Sequence, residues 1–178
     1  MEYWGDWWLV GMVLVAAGLD LRTRRIPNWL TVSGFAMALA FRLPQGGGAF
    51  FDGLAAGLIA FAISLPFFAL GGLGGGDVKL LAAVGAFLGI DRLWTALFVT
   101  AIVGGALALV AVIQQRRLGT TIANLYMVMR SLRSKEAYTG WKGEKGDAPL
   151  TIRSAGVITR PYAVAIAAGA LYAVLPFF

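Results

Sequence analysis

The sequence contains no cysteine and no histidine. Without these residues the chain cannot form disulfides, zinc fingers, thiol nucleophiles, Ser-His-Asp triads or the usual haem ligation. Acidic residues are also scarce, with nine Asp and Glu in 178 residues. Any acid–base chemistry must therefore come from Asp, Glu, Lys, Tyr or Arg, and few acidic side chains can supply it.

Charge of either sign is scarce as well. Charged residues make up 13% of the chain and hydrophobic residues 59%, whereas an average soluble domain has about 25% and 45–50%. Mean hydropathy is +0.76. This composition excludes a disordered chain, the length excludes a large multidomain enzyme, and together they predict an integral membrane protein.

Six apolar runs reach or approach the 20 or so residues with which a helix crosses a bilayer core. We therefore predict an all-α fold, a single polytopic membrane domain over residues 1–178 with about six transmembrane helices and a cytoplasmic amphipathic segment. The predicted spans are about 7–19, 27–41, 51–70, 78–90, 93–113 and 161–178, and the predicted cytoplasmic loop is 114–160.

The basic residues are distributed unevenly between the two sides that six alternating spans would create. Thirteen of the 15 Lys and Arg fall on one side, and only Arg42 and Arg92 fall on the other. Because cytoplasmic loops are enriched in Lys and Arg, we predict a multi-pass membrane protein with both termini non-cytoplasmic. Topology thus accounts for the basic charge, and we expect no nucleic-acid partner.

The predicted long loop contains one apolar stripe. Leu118, Ile122, Leu125, Met129 and Leu132 recur at steps of four and three, which is helical spacing, and arginines accompany them. A basic amphipathic helix of this kind can lie on the inner leaflet and bind membrane lipid, including anionic lipid. The alternative is a solvated helix packed against the protein's own loops.

Two acidic residues lie at the predicted cytoplasmic ends of spans. Asp20 directly follows the first span, and Asp77 directly follows a segment, 71–76, that has five Gly in six residues. Ionisable groups at membrane depth are expensive and often functional. Because two close carboxylates cannot both ionise easily, one can serve as base and the other as acid. This pair indicates aspartic hydrolysis, in which the ionised carboxylate takes a proton from water.

Structural explanations for the same residues remain open. Asp20 can be a helix-end charge that Arg24 neutralises, and Asp77 can be the N-cap of the following helix. The glycines can form a simple loop or a helix contact, or they can let a substrate strand approach the backbone.

Two motifs surround the two acids. The first is Asp20-Leu-Arg-Thr-Arg-Arg-Ile-Pro-Asn28, and the second is Gly74-Gly-Gly-Asp-Val-Lys-Leu80. Their order, interval and common membrane side resemble the type IV prepilin peptidase family of membrane aspartic proteases. The resemblance covers about residues 7–113, with a looser similarity in Arg160-Pro-Tyr-Ala.

This resemblance implies that Asp20 and Asp77 are the catalytic pair and that they act at the cytoplasmic membrane face. The implied substrate is a prepilin or pseudopilin whose short basic leader is removed, and neither a metal nor another cofactor is expected. The residues that the two motifs place around the site, as substrate-binding or site-shaping residues, are Gly74, Gly76, Lys79, Arg24, Pro27 and Asn28.

The larger family members carry paired Cys-x-x-Cys motifs and also methylate the new N-terminus. Because this chain has no cysteine, the resemblance implies the short, peptidase-only type associated with Flp/Tad pili, without methyltransferase activity. Two alternatives from other classes are a small proton-coupled transporter and a non-catalytic membrane component of pilus assembly. The oligomeric state is not indicated by the sequence.

Overall fold

A computed structural model of the chain describes residues 3–69, 72–114 and 162–175. These residues are all-helical, as predicted, so the helical membrane fold class is confirmed. Nearly all of the predicted loop 114–160, with its amphipathic segment, lies outside the described residues. The helices are α1 (Tyr3–Thr23), α2 (Asn28–Arg42), a short 3-10 turn (Leu43–Gln45), α3 (Gly47–Ala69), α4 (Gly75–Gln114) and α5 (Tyr162–Val174).

The chain divides into two compact units. One contains Met1–Gly105 with Ile158–Phe178, and the other is Ala106–Val157. Only the last turns of α4 are described in the second unit, so the packing and the site below belong to the first.

Three of the described helices are long and apolar enough to cross a membrane. They are Trp4–Thr23, Gly47–Ala69 and Gly75–Val110, and Tyr162–Val174 is a shorter apolar helix. Large apolar side chains on the outside of the bundle are exposed, among them Trp4 and Phe98 at 68% each. A surface of this kind suits lipid, and the count of six spans remains a prediction.

The helix α4 is broken at Gly89, whose φ of 76° and ψ of 175° are not helical. An unbroken helix of 40 residues would be about 60 Å long, twice the hydrocarbon thickness. Gly104, after the break, packs against the ring of Tyr162, and the charge of Asp77, before the break, acts on the same Tyr162. The two halves of α4 therefore return to the same level and form a helical hairpin.

Two arginines and two acids lie near the tip of this hairpin. Arg42 donates to Asp52 at 2.9 Å and to the Phe87 carbonyl at 3.0 Å, while Asp52 accepts from the Ile90 amide at 3.3 Å. Arg42 thus lies at the C-terminus of the first half of α4, and Asp52 lies at the N-terminus of the second half. The helix dipole of each half favours a charge of that sign at that end. Arg92 also pairs with Asp6, at 3.1 Å.

Small residues bring α3 close to the first half of α4. A Cβ on Gly57 would lie 3.0 Å from the Ala82 carbonyl oxygen, and a Cβ on Gly85 would lie 2.8 Å from the Ala56 carbonyl oxygen. Close backbone approach through small residues is the usual means by which membrane helices associate. It fixes the direction of the half-helix that begins beside Asp77.

The core joins α1, the first half of α4 and α5. Leu9 and Val13 of α1, Leu80 and Val84 of α4 and Ile166 of α5 are almost fully buried in one cluster. This packing brings the C-terminal end of α1 together with the N-terminal ends of α4 and α5.

Candidate active site

Asp20 lies in the last turn of α1 and is 6% exposed. Its Oδ2 accepts a hydrogen bond from the amide of Ala163, in the first turn of α5, at 3.2 Å. The main chain is fixed as well, because Arg24 adopts a left-handed conformation (φ 53°) and donates its N–H to the Asp20 carbonyl at 2.9 Å. This is a C-terminal αL cap, so backbone and carboxylate of Asp20 are both held.

Asp77 is the third residue of α4 and is 9% exposed. Its Oδ2 accepts from the Gly74 amide at 3.0 Å, while the Gly74 carbonyl accepts from the amides of Asp77 and Val78 at 3.1 and 3.2 Å. The acid therefore caps α4 from the third helical position, as the acidic residue of a capping box does. The N-cap is Gly74, so the alternative reading that made Asp77 the N-cap is wrong in position.

The structure brings the two acids to the same end of the bundle. The charge of Asp20 acts on Asp77, and the first turn of α5 interacts with both acids through Ala163 and Tyr162. Within residues 3–69, 72–114 and 162–175, no ion pair joins either acid to a cation. Neutralisation of Asp20 by Arg24, the structural alternative, thus has no support in this part of the chain.

The remainder of the first motif docks against the second. A Cβ on Gly76 would lie 3.0 Å from Cβ of Ile26, so only glycine allows this approach without displacement. Pro27 is extended and α2 begins directly after it, which places Asn28 beside the start of α4. The Nζ of Lys79 donates to Oδ1 of Asn28 at 2.9 Å.

Gly74 is close to the carboxylate of Asp77. A Cβ there would lie 3.0 Å from Oδ2 of Asp77 and would crowd the hydrogen bond that holds the acid. The side chain of Arg24, in contrast, is exposed. In the described part of the chain, no three or more Asp and Glu residues come together as a metal site would require.

Sequence reasoning did not assign a role to Tyr162 or Ala163, which the structure places beside the acids. The only signal was the looser similarity around Arg160-Pro-Tyr-Ala. A main-chain donor such as the Ala163 amide leaves no trace in residue type, since every residue except proline has one.

These features define a helical membrane protein that holds two buried carboxylates near each other at one end of its bundle. The model of the type IV leader peptidase family matches residues 7–109. The match covers more than half of the sequence, and the chain belongs to this family, which confirms the resemblance seen in the two motifs.

Two curated relatives are both named "Prepilin leader peptidase/N-methyltransferase". The protein from Bacillus subtilis (strain 168) is 30% identical over 110 residues, which cover 60% of this chain and 44% of the relative. The protein from Pectobacterium carotovorum subsp. carotovorum is 35% identical over 118 residues, which cover 62% and 42%. The chain thus matches less than half the length of these relatives. No solved structure matches.

Proposed function

We propose that the chain is a prepilin leader peptidase, an aspartic endopeptidase that removes the basic leader of prepilin-like substrates at the cytoplasmic face of the bacterial inner membrane. Membership of the type IV leader peptidase family supports the activity. The observation that carries the mechanism is the pair Asp20 and Asp77, both buried at one end of the bundle and near enough for the charge of Asp20 to act on Asp77.

In the proposed reaction, one of the two carboxyl groups is ionised and the other is protonated. The ionised one accepts a proton from a water molecule, whose oxygen attacks the carbonyl carbon of the scissile peptide. The protonated one donates to the carbonyl oxygen, so the intermediate is a neutral gem-diol. Protonation of the amide nitrogen and cleavage of the C–N bond then release the leader and restore one shared proton.

The hydrogen bonds at the two acids suit this chemistry. Each acid uses Oδ2 to accept from a main-chain amide, that of Ala163 or that of Gly74. A main-chain donor holds a carboxylate without a permanent counter-charge, so the carboxyl group can still exchange protons during the reaction. Water held between the two groups would be the nucleophile.

The docked loop is the proposed substrate-binding surface. Lys79 and Asn28 are exposed, joined to each other and located at the same end as the acids. A peptide approaching from the cytoplasmic face would meet them, together with Arg24 and Pro27, before it reached the carboxylates. We propose that the apolar helix of the substrate lies in the membrane against the exposed apolar faces of the bundle.

A cleavage assay in membranes tests the proposed function. The chain is expressed with a candidate prepilin, and removal of the leader is followed by gel shift. Asp20→Asn and Asp77→Asn should each lower the rate by about 10³-fold or more, because each removes one proton-transfer group. Asp91→Asn is the matched control, since Asp91 is exposed at the other end of the bundle. Near wild-type cleavage by either dyad variant would refute the mechanism.

Chelation and product mass extend the same assay. EDTA should leave the rate unchanged, because the proposed reaction uses two carboxyl groups and water; a loss restored by zinc or magnesium would contradict it. We also propose that the chain does not methylate its product. The mature N-terminus should therefore have its unmodified mass in the presence of a methyl donor, and a mass increase of one methyl group would overturn this part.

The acids lie at helix ends, away from the middle of the spans, where transporter sites usually lie. This placement favours the peptidase over a proton-coupled transporter. Two predictions concern other parts of the chain. They are the location of both termini outside the cytoplasm and lipid binding by the 114–160 segment.

A further inference from the structure

The first turn of α5 touches the catalytic pair from a distant part of the sequence. Ala163 and Asp20 are joined by a buried hydrogen bond across 143 positions of the chain. Asp20 is more than nine-tenths buried, so displacement of the Ala163 amide would leave a buried acceptor without this donor. The direction of this carboxylate therefore depends on where the first turn of α5 lies.

A glycine on the second half of α4 contacts this turn. A Cβ on Gly104 would lie 3.0 Å from Cε1 and 3.6 Å from Cδ1 of Tyr162. The ring of Tyr162 thus lies where a larger residue at position 104 would crowd it, and the amide of Ala163 follows directly in the chain. The next residue, Gly105, is in the same helix, yet a Cβ there would meet nothing within 4 Å.

We propose that Tyr162 and Ala163 are positioning residues for the catalytic pair and that Gly104 sets their position by receiving the Tyr162 ring. The inference rests on the proposed function, because it takes Asp20 and Asp77 to be the hydrolytic pair. It adds a third structural element, the first turn of α5, to the two that carry the acids.

The expected effect follows from the geometry of the contact. An alanine at position 104 must push the ring of Tyr162 by a few tenths of an ångström, and the Ala163 amide moves with it. Since displacements of this order misalign reacting groups at considerable cost in rate, we expect kcat to fall about tenfold. KM should not change, because substrate binding at the Lys79 side of the site is untouched.

The matched pair Gly104→Ala and Gly105→Ala tests this. Both changes add one methyl group to adjacent positions of one helix, so they have similar effects on helix propensity. The proposal expects a lower kcat with unchanged KM for Gly104→Ala, and wild-type values for Gly105→Ala. Equal kcat for the two variants, or a change in KM alone, would overturn it.

A double-mutant cycle shows whether Gly104 acts through Tyr162. In a Tyr162→Ala background the ring is absent, so adding Gly104→Ala should cost no further activity. In a Tyr162→Phe background the ring remains, and the loss of kcat should persist. If Gly104→Ala costs the same in the Tyr162→Ala background, its effect does not pass through this ring and the proposal is wrong.

A readout that needs no turnover separates this proposal from the proposed function. The amide chemical shift of Ala163, measured by NMR in detergent micelles, should change in Asp20→Ala and Gly104→Ala and stay unchanged in Gly105→Ala. Loss of cleavage in both dyad variants together with an unaltered shift in Gly104→Ala would refute the positioning role alone. Retained cleavage in the dyad variants would refute the function.

Discussion

Two acids at each end of the helical bundle accept hydrogen bonds, but from partners of different kinds. At the end that contains the hairpin tip, Asp52 pairs with Arg42 at 2.9 Å and Asp6 pairs with Arg92 at 3.1 Å. At the other end, Asp20 and Asp77 accept from main-chain amides, and no ion pair reaches either acid from the described residues.

Under the proposed function, this difference separates acids that hold the fold from acids that react. An arginine partner fixes a carboxylate in direction through a charge-assisted hydrogen bond, which suits a structural link such as the one at Gly89. A main-chain amide fixes direction without adding a positive charge, so a neighbouring carboxylate still determines whether the proton stays. The same residue type therefore serves two purposes according to its partner.

Replacing one acid at each end should give the largest contrast between the two. Asp20→Asn should lower the cleavage rate by about 10³-fold or more. It should change the free energy of unfolding by less than about 1 kcal/mol, because the Asn oxygen can still accept a hydrogen bond from the Ala163 amide. Asp52→Asn should do the reverse, with normal specific activity of the folded protein and lower stability. Cleavage rates and denaturant unfolding in detergent measure both.

The comparison would fail if Asp52→Asn, corrected for the folded fraction, lost as much activity as Asp20→Asn. It would also fail if Asp20→Asn unfolded the protein, since the acid would then be structural like its counterparts at the tip. Asp91→Asn, at an exposed position, should change neither quantity.

The two ends can be distinguished from the sequence alone. The uneven placement of Lys and Arg put Asp20 and Asp77 together at one face and left Arg42 and Arg92 at the other, and the structure groups the same residues. It could not show which acids have cationic partners. Pairing of Asp52 with Arg42 depends on the path of the chain around Gly46 and Gly89, where φ is positive.

The helix boundaries were predicted less well. The break between the fourth and fifth predicted spans was placed at 91–92, because Asp91 and Arg92 interrupt the apolar run. The structure places the break at Gly89 and keeps both charged residues in the helix. Charged residues end an apolar run, but they do not end a helix. The residue types around Gly89 contain no turn motif that would indicate its positive φ. Contacts of the Ala163 amide were equally invisible to side-chain patterns.

Gly89→Ala should have the next largest effect, on stability. Alanine at φ 76° and ψ 175°, a backbone region almost confined to glycine, costs about 1–3 kcal/mol. The added Cβ would also collide with Asp52 and crowd Arg42, so we expect a loss of about 3 kcal/mol. Unfolding in detergent measures it. Gly11→Ala, where a Cβ meets nothing within 4 Å, is the control. An equal loss of stability there would show that the backbone conformation and contacts of Gly89 do not stabilise the hairpin.

Removing the cation at the tip should cost somewhat less. Arg42→Met deprives Asp52 and the Phe87 carbonyl of their donor, and we expect a loss of about 2 kcal/mol, since a partly buried charged acceptor remains without its partner. Gln45→Met removes an exposed hydrogen bond to the Phe41 carbonyl and should change stability by less than about 0.5 kcal/mol. Similar losses in the two variants would mean that the ion pair does not hold the hairpin.

The smallest expected effect is a gain in stability, at the end that carries Asp20 and Asp77. Arg24 is held at φ 53° where glycine is favoured, so Arg24→Gly should raise the free energy of unfolding by about 1 kcal/mol. Arg25→Gly, at a neighbouring exposed position without positive φ, should not. Retention of a strained arginine beside the proposed catalytic pair is explained if its side chain binds substrate, as the first motif implies. Arg24→Gly should then stabilise the protein and raise KM, whereas a gain in stability with unchanged KM would leave the strain without a function.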